Sequence, residues 1–305
     1  GVGGYFGGKL AQAGNDVIFI ARGDHLRAIR SDGLRVDSIL GDFIVAPAQA
    51  TDKPAEVGPV DLVLLCVKAW QVRDSAAAIR SLTGKSTCVL PLQNGVEAAD
   101  ILADELGWDN ILCGLCGIIS FVSAPGHIRH VAENEPFITL GERDNRPSDR
   151  SSDIVKTLDA AGIKTRIAPD IQSALWQKLL LIDALSSVGA ITRSPVGVWR
   201  AVPETLDLYE HVAEEAFAVA RACGITVPET HLATVIGWPH RLEQAATTSL
   251  QRDLTEGRPS ELEEQIGVMV RRGQEAGMTP TLHSMIYSCL LPGERLARGQ
   301  LNGGD

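Results

Sequence analysis

Near residue 168 the hydrophobic pattern of this chain changes period, and that change bounds the fold more tightly than any single motif. Before it, apolar runs of strand length recur at residues 16–21, 61–67, 88–92, 111–119, 128–131, 137–141 and 163–168. Helical segments stand among them at 9–14, 25–31, 97–106 and 152–161, and residues 33–46 read as a hairpin turning at Gly41-Asp42. Residues 51–59 and 142–151 read as polar loops. After residue 168 the strand signal stops, and long periodic segments follow at 170–190, 204–223, 229–255, 260–276 and 281–290. Alternating strands and helices build an α/β sheet domain, whereas helical periods alone build a bundle. With 305 residues the chain is too long for one ordinary core. Two domains are expected, an α/β domain over 1–168 and an all-helical domain over 169–305.

The first eight residues suggest what the α/β domain binds. Gly1-Val2-Gly3-Gly4-Tyr5-Phe6-Gly7-Gly8 is a glycine-rich opening, followed by a helix over 9–14 that stops at Gly14, and then by a buried strand. Glycine turn, helix and strand make up the back half of a nucleotide-binding βαβ unit. Glycines let the backbone approach a pyrophosphate, and a helix N-terminus offers amide donors and a positive dipole. Gly1, Val2 and Gly3 are therefore candidate cofactor residues in a Rossmann-like nucleotide-binding domain. A bland alternative is a turn where helix and strand pack tightly. The strand that opens such a unit is missing ahead of the glycines, so the natural chain is expected to begin roughly seven to ten residues earlier. At the end of the second strand stands Arg22, whose planar fork suits a 2′-phosphate better than a ribose hydroxyl, which favours NADP. Asp24 is expected either to take the ribose hydroxyls or to cap the helix that begins at His25. Lys68 and Asn94 end two further strands, the end that faces the ligand crevice in such sheets. Lys68 can meet a cofactor phosphate and Asn94 a nicotinamide or substrate, although an ordinary solvated lysine and an Asn-Gly turn also account for them.

In the helical half, one lysine interrupts an apolar run, residues 175–190. A buried ammonium is disfavoured unless an anion or a task compensates it, so Lys178 is expected to face a cleft between the domains and polarise a carbonyl there. Further on, Gly257-Arg258-Pro259-Ser260-Glu261-Leu262-Glu263 opens a helix, with Ser260 as N-cap and Glu263 as its capping-box partner. Glu261 in that first turn has an ordinary explanation in the helix dipole.

Composition excludes several classes. The net charge of −10 has no basic stripe set against it, so an extended nucleic-acid surface is not expected. No run of 18 apolar residues stands in the sequence, so no membrane span is expected, and the start lacks the features of a signal peptide. Six cysteines, mostly inside apolar segments, read as reduced, buried thiols of a cytoplasmic protein. Cys113-Gly-Leu-Cys116 has no second pair at zinc spacing, so no metal is expected.

Taken together, these stretches resemble the ketopantoate reductase (2-dehydropantoate 2-reductase) family. The resemblance rests on Gly3-Gly4-Tyr5-Phe6-Gly7, Ala21-Arg22-Gly23, Val67-Lys68-Ala69-Trp70-Gln71, Gln93-Asn94-Gly95-Val96, Ala124-Pro125-Gly126, Leu175-Trp176-Gln177-Lys178-Leu179, and Ser249 through Gly257-Arg258-Pro259-Ser260-Glu261. It implies NADPH-dependent reduction of 2-dehydropantoate to pantoate, on the route to pantothenate, or of a related 2-oxo acid. Lys178 would be the general acid and Glu261 its assistant at the substrate. Arg22 and Lys68 would approach the NADP phosphates, Asn94 the nicotinamide and substrate, and Ser249 the substrate. Two positions depart from the pattern. Asparagines that bind substrate four and eight residues beyond the lysine are here Ile182 and Ser186, which points toward a more apolar 2-oxo acid or altered contacts with ketopantoate. Two other readings stand beside this one: another NAD(P)-dependent hydroxy acid or imine dehydrogenase of the same architecture, and a non-catalytic NADP-binding sensor. The helical half is expected to pair with a second copy, giving a homodimer.

Overall fold

A computed structural model describes residues 1–131 and 134–301. The chain divides into two compact units, a sheet unit of Gly1–Gln93 and Glu97–Ile171 and a helical unit of Asn94–Val96 and Gln172 onward. The division falls a few residues beyond 168, and three residues of the first half cluster with the second.

The sheet unit runs α1 (Val2–Gln12), β1 (Ile18–Ile20), α2 (Gly23–Asp32), β2 (Leu34–Ser38), β3 (Phe43–Val45), β4 (Gln49–Thr51), β5 (Leu62–Leu65), α3 (Val72–Arg80), β6 (Cys88–Pro91), α4 (Ala98–Leu106), β7 (Cys113–Gly117), β8 (Ser120–Ala124), β9 (His127–His130), β10 (Phe137–Gly141), α5 (Asp149–Ala160) and β11 (Lys164–Ile167). Its strands pair in four groups: β1 with β4, β5 with β6, β11-β10-β7, and β3-β2-β9-β8. The first two pairs are parallel, as βαβ connections require. Sequence reading placed β4 partly in a loop and overlooked β8. Both are short, and four of the five β8 residues are exposed, so neither carries the apolar run that marks a buried strand.

One expectation at the chain start is corrected. The glycines do not form a loop ahead of a helix at Lys9, because α1 already begins at Val2. Gly4, Gly7 and Gly8 lie inside it. A Cβ would come 2.7 Å from Ile128 at Gly4, 2.8 Å from Phe19 at Gly7 and 2.8 Å from Phe43 at Gly8. These glycines bring a helix close to strands, the bland reading given above, and that contact offsets their helix cost of about 1 kcal/mol each. Tyr5 and Phe6 on the same helix are buried in the core with Phe19, Ile29, Leu34 and Phe43.

The helical unit contains α6 (Ile171–Thr192), α7 (Val196–Trp199), α8 (Pro203–Ala222), α9 (Glu229–Gly237), α10 (Ser249–Thr255), α11 (Val268–Glu275) and α12 (Thr281–Ala297). The continuous helix expected over 229–255 breaks at Trp238–Arg241, a 3-10 turn with Pro239 in its first positions. By length and composition α6 reaches the range of a membrane span, although 67% of that window is buried within the protein.

Buried polar groups fix α6 in place. His283 lies between two carboxylates, with Nε2 2.8 Å from Asp183 on α6 and Nδ1 2.6 Å from Glu215 on α8. Both ring nitrogens face acceptors, so the ring is held as imidazolium. Burial by itself would discharge it, but the charges and hydrogen bonds of Asp183 and Glu215 prevail and push its pKa up to about 9. Near Lys178, Gln177 Nε2 donates to Ser173 Oγ, and Ser173 Oγ donates to the Thr226 carbonyl at 2.6 Å.

Candidate functional site

In the helical unit the site begins with Lys178, half-buried on α6. Ile182 and Ser186 follow at i+4 and i+8, the spacing that keeps residues on one helical face. Ile182 is half-buried and Ser186 is 1% exposed. Asp183, clamped by His283, is displaced around the helix from that face, so α6 is polar on two sides.

The segment carrying Glu261 is tethered from behind. Ser260 N–H donates to both oxygens of buried Glu294, and its hydroxyl donates to Oε2 at 2.5 Å. Arg298 closes the tether by donating to the Ser260 carbonyl. Ser260 accepts from Leu262 N–H in the manner of a cap, but the expected capping box with Glu263 is not made. Glu263 instead pairs with Arg271 at 2.8 Å and accepts from the Tyr287 hydroxyl. From Glu263 to Gly267 the backbone widens into a π-helical turn, a distortion frequent at functional sites. Arg258, from the same sequence motif, donates twice to Asp253.

Glu261 is 5% exposed, so its carboxylate must be compensated. Two amides converge on Oε2: Asn94 Nδ2 donates at 3.0 Å and Gln265 Nε2 at 3.1 Å. Gln265 Oε1 accepts from the Ser186 hydroxyl at 3.1 Å. Asn94 reaches Glu261 because Asn94–Val96 cluster with the helical unit while Gln93 stays behind, donating to the carbonyls of Leu65 and Val67. Gly95 next to it has φ +97°, and a Cβ there would lie 2.9 Å from the Glu264 carbonyl oxygen, so only glycine suits the position. Glu264 Oε2 is buried with no hydrogen-bond partner among the described residues. Burial, supplemented by the charge of Glu261, pushes its carboxyl up to about 7.

Gln265 escaped sequence reading. A glutamine in a helix is ordinary, and its contacts arise only when α6 and the π turn meet. Ser249 is half-buried in the first turn of α10, whose cap is its neighbour Thr248, accepting from Gln251 N–H at 3.2 Å.

The other candidates lie in the sheet unit. Gly1 is the N-cap of α1, Val2 and Gly3 form its first turn, and that turn carries no acid. A Cβ on Gly1 would come 2.4 Å from the Ser120 carbonyl oxygen. Arg22 is exposed and is the N-cap of α2 in extended backbone. Asp24 therefore does not cap the helix. It stands inside the first turn and pairs with Arg27, one helical turn on. Lys68 is exposed at the start of a 3-10 turn, where its N–H donates to the Gln71 side chain at 3.3 Å. Ala124-Pro125-Gly126 makes the β8–β9 turn, and Gly126 N–H donates to His25 on α2 at 2.9 Å, a structural role. A helix start free of acids and two exposed cations at N-caps suit the phosphates of a dinucleotide. None of the six cysteines is in a disulfide; Cys88, Cys113 and Cys116 are buried, Cys66 and Cys223 half-buried, and Cys289 exposed, against the expectation that most are buried.

Residues 1–145 match the family model described as "Ketopantoate reductase PanE/ApbA", and residues 170–294 match its C-terminal counterpart. A 2-dehydropantoate 2-reductase of a Nostoc strain is 28% identical over 98% of this chain and 95% of its own length. A PanE/ApbA family ketopantoate reductase structure from Ralstonia eutropha superposes with TM-score 0.88 at 32% identity, covering 97% of this chain and 96% of the other. A ternary structure of D-mandelate dehydrogenase with NADH and anilino(oxo)acetate superposes with TM-score 0.85 over 97% of this chain and 96% of the other. At 20% identity it shows a shared fold alone.

Proposed function

The chain belongs to the ketopantoate reductase family, and on that premise we propose that it reduces 2-dehydropantoate, or a related 2-oxo acid, to the 2-hydroxy acid with NADPH. The observation that carries the reading is the presence, within one unit, of a half-buried lysine on an apolar helix and of a buried, amide-held carboxylate. NADPH, when bound, supplies the hydride. The backbone of Gly1, Val2 and Gly3 and the cations Arg22 and Lys68 hold its phosphates. Arg22 selects the 2′-phosphate, which is what separates NADPH from NADH.

Lys178 does the proton chemistry. As the ketone carbon gains hydride, negative charge grows on its oxygen, and the ammonium stabilises that charge and donates the proton. The same cation attracts the carboxylate of a 2-oxo acid. Glu261 favours the charged lysine and fixes its approach, and Asn94, which donates to Glu261, also binds the substrate. Ser249 contributes a hydroxyl to the substrate. Ile182 offers methyl groups where a donor would suit a hydroxylated substrate, so branched apolar 2-oxo acids belong in the substrate range. Six cysteines outside any disulfide suit a reducing cytoplasm, and homodimerisation belongs to the same reading, checked by light scattering.

The test is NADPH oxidation followed by absorbance with ketopantoate and a panel of branched 2-oxo acids. Turnover with at least one member is expected. NADPH binding without turnover on any of them would replace the reductase with a sensor.

A further inference from the structure

We infer that Gln265 is a positioning residue for Glu261, and that Ser186 acts through Gln265 instead of touching substrate. This rests on the reductase reading of the site. The geometry is directional. Glu261 carboxylate only accepts, so the Gln265 amide must turn its nitrogen toward Oε2, 3.1 Å away. That leaves Gln265 Oε1 in need of a donor, and the Ser186 hydroxyl supplies one at 3.1 Å. Flipping the amide would set oxygen against oxygen at Glu261, so Ser186 and Glu261 enforce one orientation. All three groups are buried: Ser186 is 1%, Gln265 2% and Glu261 5% exposed. With water excluded, the amide's bonds have no solvent substitute.

The effect is to hold one carboxylate oxygen from two sides. Asn94 comes from the loop after β6 and Gln265 from the π turn. Gln265 stands four residues after Glu261, and its N–H donates to the Glu261 carbonyl at 3.0 Å. Backbone and side chain thus lock the same residue. The single proton of the Ser186 hydroxyl goes to Gln265, so position 186 offers substrate no donor.

The experiment is an epistasis series with the intact enzyme. Gln265→Leu keeps the approximate volume and removes the amide. It should lower kcat about tenfold or more with little change in KM. Ser186→Ala should move kcat in the same direction by less, and the double variant should cost no more than Gln265→Leu alone. In a Glu261→Ala background, Gln265→Leu should have no further effect, an outcome a merely structural role would not give. A rise in KM at unchanged kcat for Ser186→Ala, or additive losses, would overturn the proposal. A crystal structure of Gln265→Leu separates this from failure of the reductase reading. Glu261 should leave its wild-type rotamer even if no 2-oxo acid is turned over, and an unmoved Glu261 carboxylate would sink the positioning role.

Discussion

The two units keep their charges in opposite ways. In the sheet unit the candidate cofactor cations are exposed at the ends of secondary structure, where Arg22 caps α2 and Lys68 opens a 3-10 turn, and half-buried Gly1 caps α1. In the helical unit polar side chains are buried or half-buried and bind one another, as in Asn94–Glu261–Gln265–Ser186 and Asp183–His283–Glu215. Exposed cations can exchange a surface contact for a charged ligand at small cost, because exposed ion pairs are weak. Buried groups are set in place during folding, and each depends on its partner. The first arrangement suits binding and release of a cofactor, and the second suits holding reacting groups in fixed geometry.

Substitutions should separate these two regimes. The largest effect is expected at Lys178. Lys178→Ala should lower kcat by about a thousandfold or more while leaving NADPH affinity nearly unchanged, read by steady-state kinetics and by cofactor fluorescence titration. Unchanged turnover would remove the lysine from the mechanism. Next is the buried imidazolium. Asp183→Ala removes one of its two anions and should destabilise the protein by about 3–5 kcal/mol in denaturant unfolding. A cost under about 1 kcal/mol would show that the pair is not a buried charge pair at all.

The same group sets a pH dependence. The pKa of His283 is about 9 in the folded protein against an ordinary 6.5. Below pH 6.5 both folded and unfolded chains carry the proton, and the contribution is complete. Between 6.5 and 9 only the folded chain keeps it, so stability falls as pH rises, by on the order of 3 kcal/mol in all. Glu264, raised to about 7 against 4.5, acts in the same sense over pH 4.5 to 7. Thermal melts across pH 6.5 to 9 should therefore decline for wild type and flatten in His283→Gln.

Smaller changes are expected where the charge is exposed. Arg22→Ala should weaken NADPH binding by about tenfold and leave NADH binding almost unaltered, which calorimetry with both cofactors would read. Equal losses for the two would remove the 2′-phosphate from the argument. The smallest gain is expected from Ile182→Asn, which should raise kcat/KM for ketopantoate several-fold, about the value of one neutral hydrogen bond.

Legibility followed the same division. Arg22, Lys68 and the opening glycines could be found because local chemistry marks them: glycines before a strand, cations at strand ends. Even there the glycines turned out to belong to a helix, because Gly4, Gly7 and Gly8 answer to Ile128, Phe19 and Phe43, which lie far away in sequence. Lys178 was legible because it is the one cation in an apolar run, residues 175–190. Gln265 and His283 were not, since neither residue type is unusual in its own stretch. Ser260 and Glu263 fitted a capping box by spacing, yet Glu294 and Arg271 hold them instead.

The sequence by itself determined the α/β-then-helical order, the lysine on its apolar helix and the family motifs. Periodicity and local residue chemistry are properties of neighbouring positions, and neighbours are what a sequence displays. Only the tertiary structure decided that Asn94 and Gln265 converge on one oxygen of Glu261, that Ser186 binds Gln265, and that His283 is charged. Those outcomes depend on burial and on which donors meet across as many as 167 residues of chain, quantities that exist only once the helices have packed.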